Sequence, residues 1–360
     1  MKTERFFKPH ILIGSNWFNF FRWTASLNFS ITSEGFFRLM LSSLILFMLT
    51  PFRIIETVVY FFTKKEEVKQ PIFIIGHPRS GTTFFHDSLN ELEDLVAPRM
   101  LDCLFPYLNK HFKFLLIPIL EKALPKTRLI DKMKVRWDSP QEEEFGMALM
   151  SPYSSVAFLF APKRSAKILN DIVLLNDSQA KAKWQVAHQR YARKIQTMNK
   201  GKTLVFKSPG NTARIEELLE IYPDAKFIHF VRNPQAVIPS ALHLYQSILP
   251  EFSLQNISKF DLSEYVFEYY ERVMNKYLSS KDKLSQEQLF ELKYEDFVEA
   301  PMENLENAFA QLNIPSSPDS LKEFFDSRKK FSKNKYGNNP DLTKQISERC
   351  AEMISHYNYS

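Results

Sequence analysis

The chain has 360 residues, of which 44% are hydrophobic and 24% charged, and its formal net charge is +6 at pH 7. This composition is that of a globular protein and excludes fibrous and disordered classes. The mild positive charge suits anionic ligands or a membrane surface, and without a Lys/Arg block it does not predict a nucleic-acid partner. Cys103 and Cys350 form neither a disulfide framework nor a zinc-binding spacing, which favours a reducing, cytoplasmic compartment and predicts no metal.

Residues 1–70 are rich in aromatic and apolar side chains and predict a helical N-terminal extension. The run from Leu39 to Phe52 carries no charge, and the sequence PFRIIETVVYFF interrupts further apolar length with a proline and two charges. A spanning helix needs about 20 apolar residues, so we expect this run to be too short to cross a membrane. Two interpretations stay open: helices that pack on the rest of the chain or form a dimer face, and a basic, aromatic-rich segment lying in the membrane interface, as a peripheral contact.

From Pro71 onward the pattern predicts an α/β domain that extends over residues 71–360. Three short apolar runs, PIFIIG, TLVFK and KFIHFV, are each followed by a turn and a helix-like stretch. Continuous apolar runs of this length indicate strands of a parallel sheet that is covered on both faces.

The first of these strands leads into a loop with the outline of a phosphate-binding motif. Gly76 and Gly81 are separated by four residues, but Thr82 stands where the GxxxxGK[ST] motif has its lysine. Backbone N–H groups of such a loop and of the helix that follows favour an anion near residues 80–83. Arg79 adds a permanent positive charge whose fork suits oxyanions.

Cationic side chains also follow the second and third strands. Lys207 ends the second strand, and Arg232 ends the third, eight residues before Ser240. Because ligands of open α/β sheets bind at the carboxyl ends of the strands, Arg79, Lys207 and Arg232 are expected at one edge of one sheet. Three cations at one edge indicate a polyanionic ligand.

The segments PRSGTT, FKSP, FVRNPQAVIPS and LKYEDFVEAP, between about Pro71 and Pro301, resemble the signatures of the PAPS-dependent sulfotransferases. PAPS is 3'-phosphoadenosine-5'-phosphosulfate. The resemblance implies a P-loop-like three-layer fold, with a central parallel sheet flanked by helices, in addition to the N-terminal extension. Arg79, where many cytosolic small-molecule enzymes have lysine, makes the chain most similar to the bacterial-type branch.

The resemblance also implies roles for individual residues. The 5'-phosphosulfate group would be held by Arg79, Ser80, Gly81, Thr82 and Thr83. Arg232 and Ser240 would hold the 3'-phosphate, and Arg79 with Lys207 would neutralise the charge that develops in the transfer, so no metal ion is implied. The missing lysine is then explained, because PAPS has no β- and γ-phosphate pair.

The same resemblance implies a general base among the acidic residues. Many relatives carry a His shortly after KSP, but here the sequence is KSPGNT. The acidic cluster in DSPQEEEF is similar to an acidic segment of this branch, which favours Glu142 and then Glu144 as the base; the same residues also suit an ordinary helix N-terminus. His77 is expected to pack in the loop and is the weaker candidate, and His229 is expected in the core.

The acceptor is left open by the sequence. Residues 97–200 predict a helical region on the acceptor side, and its many Phe, Leu and Pro residues suit either an apolar pocket for a lipid or a packed helical cap. Residues 311–360 predict a C-terminal loop and helix, and the basic stretch at 327–340 could fold over the nucleotide.

The sequence therefore predicts a sulfotransferase that moves the sulfuryl group from PAPS, its co-substrate, to a hydroxyl or amine of a small-molecule, lipid or glycan acceptor. Two alternatives stay open. One is a P-loop kinase or NTPase, which the threonine at the lysine position disfavours. The other is a non-catalytic, membrane-associated binding protein on a sulfotransferase scaffold.

Overall fold

A computed structural model of the protein describes residues 8–27, 30–127, 134–326 and 339–359. The chain forms two compact units. The first comprises Met1–Glu67, Pro98–Lys200 and Gln246–Asp261. The second comprises Val68–Ala97, Gly201–Tyr245 and Leu262–Ser360. The predicted division at residue 70 stays a prediction, and the first compact unit contains most of the N-terminal extension together with the predicted acceptor-side region.

Five strands and a larger set of α-helices make up the regular structure of the described residues. The strands are β1 (Ile72–Ile75), β2 (Leu95–Val96), β3 (Thr203–Lys207), β4 (Lys226–Val231) and β5 (Leu289–Lys293). The helices are α1 (Trp17–Ser26), α2 (Ser33–Phe62), α3 (Thr82–Leu89), α4 (Met100–Leu104), α5 (Lys113–Ala123), α6 (Glu143–Met150), α7 (Ala157–Phe160), α8 (Ser165–Ile168), α9 (Ser178–Met198), α10 (Ile215–Ile221), α11 (Pro234–Phe252), α12 (Leu262–Lys281), α13 (Tyr294–Glu299), α14 (Pro301–Leu312), α15 (Lys322–Asp326), α16 (Pro340–Arg349) and α17 (Ala351–His356).

The second unit contains a parallel sheet in the order β2-β3-β1-β4-β5. All four residues of the central strand β1 are buried, as the continuous apolar run predicts. Helices flank this sheet, so the predicted α/β class is confirmed. The segment LKYEDFVEAP includes the end of β5 and the helix α13 that directly follows it.

One core cluster joins β1, β4 and α3 inside the second unit. Phe85 of α3 lies with its ring 4.8 Å from that of Phe230 and 5.3 Å from that of Phe297. All three rings are fully buried. Full burial of a phenylalanine typically stabilises a fold by roughly 1.5–3 kcal/mol, so this packing fixes the start of α3, and with it the preceding loop, against the sheet.

In the first unit, α2 is longer than the sequence predicts. The helix continues through Pro51 to Phe62, and it is long and apolar enough to cross a membrane, with a mean hydropathy of 1.7 in its most apolar window, of which 17% is buried. The expectation that the apolar run is too short to cross a membrane is therefore wrong, because the helix continues beyond that run. Arg53 and Glu56 do not interrupt the helix, because both side chains are buried on its inner face.

Residues 97–200 contain the helices α4 to α9 within the described residues, and their role as an acceptor-side region stays a prediction. The predicted C-terminal helix is present as α16 and α17. Most of the basic stretch, residues 327–338, lies outside the described residues.

Candidate functional site

The loop between β1 and α3 has a backbone that glycine makes feasible. Gly76 and Gly81 have φ values of 140° and 104°, in the region that favours glycine. A Cβ on Gly76 would lie 2.4 Å from Phe230 O, and one on Gly81 would lie 2.4 Å from Cδ2 of Tyr294. Arg79 is held at a φ of 77°, unusual for a residue with a side chain. The loop is therefore tightly confined on both sides.

Hydrogen bonds hold this loop in place. Thr212 Oγ1 accepts a bond from Gly76 N at 2.7 Å, and His77 O accepts bonds from both the N and the Oγ of Ser80, at 3.1 and 2.8 Å. Thr82 begins α3 and is buried, whereas Thr83 is partly exposed. The first turn of α3 thus presents its N-terminus at the predicted anion-binding residues.

The structure brings together three of the predicted ligand-binding side chains. Arg79 Nε donates to Ser240 Oγ at 3.0 Å, and Arg232 Nη1 donates to Arg79 O at 3.1 Å. The Arg232 guanidinium also lies 4.1 Å from the ring centroid of Tyr294. Arg232 Nε is buried and has no hydrogen-bond partner within the described residues, so a donor is available to an anion.

Lys207 ends β3, which pairs with β1 on the side opposite β4. Its position is level with Ile74 of β1, and its side chain is buried. The strand order therefore puts Arg79, Lys207 and Arg232 after three adjacent parallel strands, at the same edge of the sheet. This topology is as predicted, whereas the binding of a ligand by these side chains stays a prediction.

His77 is buried inside the loop. Its Nδ1 lies 2.8 Å from Pro78 O, and its ring packs edge-on against Tyr269 and Tyr270. Burial lowers the pKa of His77 from 6.5 to about 3, so the imidazole is neutral near pH 7. These contacts fit the predicted packing role.

His229 lies in the core, as predicted, on β4. Its ring centroid is 3.8 Å from that of Tyr277, and burial lowers the pKa of His229. The neighbouring Glu291 accepts hydrogen bonds from the hydroxyls of Tyr277 and Tyr357, each at 2.7 Å. This cluster holds Tyr357, which directly follows α17, against β4 and β5.

The two predicted base candidates differ in their surroundings within the first unit. Glu144 is fully buried; its Oε1 accepts from Trp184 Nε1 at 3.1 Å and its Oε2 from Ser155 N at 2.8 Å. Glu142 takes the N-cap position of α6 and is partly exposed. Both oxygens of Glu144 therefore accept hydrogen bonds inside the first unit, and the assignment of Glu142 or Glu144 as the base stays a prediction.

Tyr294 and Thr212 are parts of the site that the sequence reasoning did not identify. Val231 of β4 pairs with Lys293 of β5, so the residues that follow them, Arg232 and Tyr294, emerge side by side. The sequence does contain a signal for Tyr294, because it is an aromatic residue directly after β5, the strand next to β4. Thr212 contacts the loop through the 3₁₀ turn at Pro209–Ala213, for which the sequence offered no comparable signal.

A search for metal ligands across the described ranges gives no group of three or more His, Cys, Asp or Glu side chains that could hold an ion.

Known proteins resemble the chain in sequence and in fold. The model of a sulfotransferase family matches residues 71–318. The "Omega-hydroxy-beta-dihydromenaquinone-9 sulfotransferase Stf3" of Mycobacterium bovis and of Mycobacterium tuberculosis is 29% identical over 297 residues, which cover 80% of this chain and 75% of the relative.

Two crystal structures share the fold. Sulfotransferase STF1 from Mycobacterium tuberculosis gives a TM-score of 0.63 at 17% identity, covering 90% of this chain and 87% of that one. Sulfotransferase STF9 from Mycobacterium avium gives 0.62 at 16% identity, covering 81% and 77%. The family match extends over more than half of the sequence and includes the loop, the two basic strand ends and β5. The chain belongs to the sulfotransferase family.

Proposed function

We propose that the protein transfers the sulfuryl group of PAPS to a hydroxyl or amine of an acceptor without a metal ion. The observation that carries this proposal is the cluster at the sheet edge, where Arg79 bonds to Ser240 and Arg232 packs on Tyr294 beside the glycine loop. An arginine with an unused buried donor and a tightly turned loop suit a ligand that carries two separate anionic groups.

The proposed roles follow the positions of the side chains along the sheet edge. Arg79 and the backbone of residues 80–83 would hold the 5'-phosphosulfate, and Arg232 with Ser240 would hold the 3'-phosphate. Lys207, at the end of β3, would stabilise charge on the leaving group. Preorganised donors of this kind typically contribute roughly 10²- to 10³-fold each to the rate.

In the transfer, the acceptor oxygen or nitrogen forms a bond to sulfur while the bond between sulfur and the bridging 5'-phosphate oxygen breaks. The leaving nucleotide, adenosine 3',5'-bisphosphate, takes the electron pair. The proton of the acceptor goes to a base, for which we propose Glu142. A positioned base of this type is typically worth roughly 10²- to 10⁴-fold.

For the acceptor we propose a lipid hydroxyl ahead of a carbohydrate. A relative that is 29% identical is named for a hydroxylated menaquinone.

We further propose a cytoplasmic location, which is supported by Cys103 and Cys350, both buried free thiols among the described residues.

The test is transfer of ³⁵S from labelled PAPS into a total lipid extract and, separately, into a glycan mixture, with release of adenosine 3',5'-bisphosphate measured in parallel. Label in the lipid phase with equal nucleotide release supports the proposal. Label in the glycans alone would contradict the lipid acceptor. Tight nucleotide binding without turnover in either mixture would favour the non-catalytic scaffold.

A further inference from the structure

The helix α2 has the reverse of the polarity expected for a surface helix of a water-soluble protein. Its inner, buried side carries all of its charged residues after Glu34, namely Arg38, Arg53 and Glu56, together with Ser42, Gly35, Leu39 and Leu46. Its outer side is apolar, and the exposed large side chains are Phe36, Phe37, Met40, Leu44, Phe47, Met48, Phe52, Ile54, Ile55, Val58, Val59, Phe61 and Phe62. A surface helix in water normally shows the opposite arrangement, with the apolar stripe toward the core.

The polar side of α2 is fixed within the first unit by specific bonds. Arg38 Nη2 donates to Glu251 O at 2.7 Å, and Ser42 Oγ accepts from His10 N at 2.7 Å. The carboxylate of Glu56 accepts bonds from the backbone N of Lys110 and of His111, at 3.1 and 3.0 Å. Since these charges would be left unpaired by rotation of the helix, its apolar side is held outward.

The helices α1 and α5 extend the same surface. Trp17 of α1 donates from Nε1 to Thr50 Oγ1 of α2 at 3.0 Å, and Leu49 of α2 packs in a cluster with Leu116 and Leu120 of α5. The exposed apolar side chains on these two helices are Phe18, Phe21, Phe114, Leu115 and Ile119. In the described part of the chain, large exposed hydrophobic side chains outside α1, α2 and α5 are confined to Val186 and Val298. We call the outer side of α1, α2 and α5 the apolar face.

Charge indicates what covers the apolar face. Between Phe36 and Phe62 the charged residues of α2 are all buried, so its outer side is uncharged over about 40 Å. Exposed lysines lie at the margins, with Lys64 after α2 and with Lys113 and Lys122 on α5, where Lys122 is next to the exposed Glu121. An uncharged apolar strip with a basic margin matches the acyl boundary and anionic headgroups of a bilayer.

The same contacts argue for an orientation. Arg38 and Glu56 lie on separate turns of α2, and each forms hydrogen bonds with another segment of the first unit. The helix therefore packs on the rest of that unit over most of its length. We propose that the apolar face docks on an anionic lipid bilayer, with α2 lying in the plane of the interface and not crossing the membrane. This inference does not depend on the proposed transfer reaction, since it is read out by membrane binding alone.

The experiment is flotation of the full-length protein with vesicles of phosphatidylcholine containing phosphatidylglycerol, compared with vesicles of phosphatidylcholine alone. Phe47→Glu and Phe61→Glu replace side chains that are 69% and 76% exposed, so each should leave the fold intact. Val186→Glu is the matched control, because Val186 is 64% exposed and lies on α9. Circular dichroism checks the fold of all three variants.

We expect the parent protein and Val186→Glu to float with the anionic vesicles, and each Phe variant to bind them roughly 10-fold or more weakly. Omitting phosphatidylglycerol should also weaken binding; if it does not, the anionic requirement is overturned. Absence of flotation, with a dimer in light scattering that Phe47→Glu dissociates, would assign the apolar face to a second copy. Resistance to extraction at alkaline pH would show a spanning helix and overturn the interfacial orientation.

Discussion

The guanidinium of Arg232 lies 4.1 Å from the ring centroid of Tyr294 while its Nη1 donates to Arg79 O at 3.1 Å. The contact with the aromatic face and the bond to the loop carbonyl fix the plane of the guanidinium, yet Nε keeps a donor without a partner in the described residues. An arginine held in one orientation loses little side-chain freedom when an anion binds, which supports the proposal that Arg232 binds an anionic group of the nucleotide.

Arg232→Ala should weaken the binding of adenosine 3',5'-bisphosphate by roughly 10- to 100-fold, the usual value of a charge-assisted hydrogen bond. Binding of 5'-AMP, which lacks the 3'-phosphate, should change little. Isothermal titration calorimetry measures both affinities. Arg272→Ala is the control, since Arg272 forms an (i, i+4) pair with Glu268 on α12. An equal loss for the two nucleotides would remove Arg232 from the 3'-phosphate site.

Gly81→Ala should destabilise the protein and impair nucleotide binding for two reasons. The added Cβ would lie 2.4 Å from Tyr294, and the alanine backbone would have to adopt a φ of 104°. Gly201→Ala provides the matched control: its φ is 79°, but nothing lies within 4 Å of the added Cβ. We expect a cost of roughly 1 kcal/mol from the backbone alone in Gly201→Ala and a larger one in Gly81→Ala. Denaturant unfolding and nucleotide titration check this pair, and equal effects would show that Tyr294 does not confine the loop.

Glu142→Gln should lower turnover by roughly 10²-fold or more and leave nucleotide affinity unchanged, if Glu142 is the base. Turnover is measured as the rate of nucleotide release from PAPS in the presence of acceptor. Nucleotide affinity is measured separately by calorimetry. A variant with the parent rate would exclude Glu142 as the base and direct attention to the loop.

Glu144→Gln should instead act on stability. Two donors, Trp184 Nε1 and Ser155 N, face the two oxygens of Glu144, so the NH₂ of a glutamine would meet one of them. We expect a loss of roughly 1–3 kcal/mol in the free energy of unfolding. A stable Glu144→Gln variant with strongly reduced turnover would make Glu144 a catalytic residue after all.

His77 should make the stability of the protein fall with acid. Its pKa is lowered to about 3 in the folded state, whereas the unfolded chain binds a proton near pH 6.5. The unfolded state therefore gains protons first as the pH drops, and stability falls from pH 6.5 toward 3 by about 1.4 kcal/mol per pH unit for this group. His77→Asn, which can still donate toward Pro78 O, should reduce this slope in denaturant unfolding between about pH 6 and about pH 4. An unchanged slope would contradict the buried neutral state of His77.

Much of the sheet and of the candidate site could be predicted because local patterns determine them. Continuous apolar runs mark β1, β3 and β4, and the spacing of Gly76 and Gly81 marks the loop. The cations that follow the strands then share an edge, because parallel strands end on the same side.

What could not be predicted depends on contacts between distant parts of the chain. Glu144 reads as one of three similar acids, and only its bond to Trp184, forty positions away, distinguishes it as an anchor. The full length of α2 was missed for the same reason: Glu56 reads as a break in an apolar run, but its carboxylate is satisfied by backbone groups at residues 110 and 111.

The most direct measurement for the central claim is calorimetric titration of the full-length protein with adenosine 3',5'-bisphosphate, 5'-AMP and ATP, each with and without Mg²⁺. The account predicts tight binding of adenosine 3',5'-bisphosphate that Mg²⁺ does not change, and much weaker binding of 5'-AMP. Preference for ATP with Mg²⁺ would contradict it and make the loop a kinase-type site that works without the usual lysine.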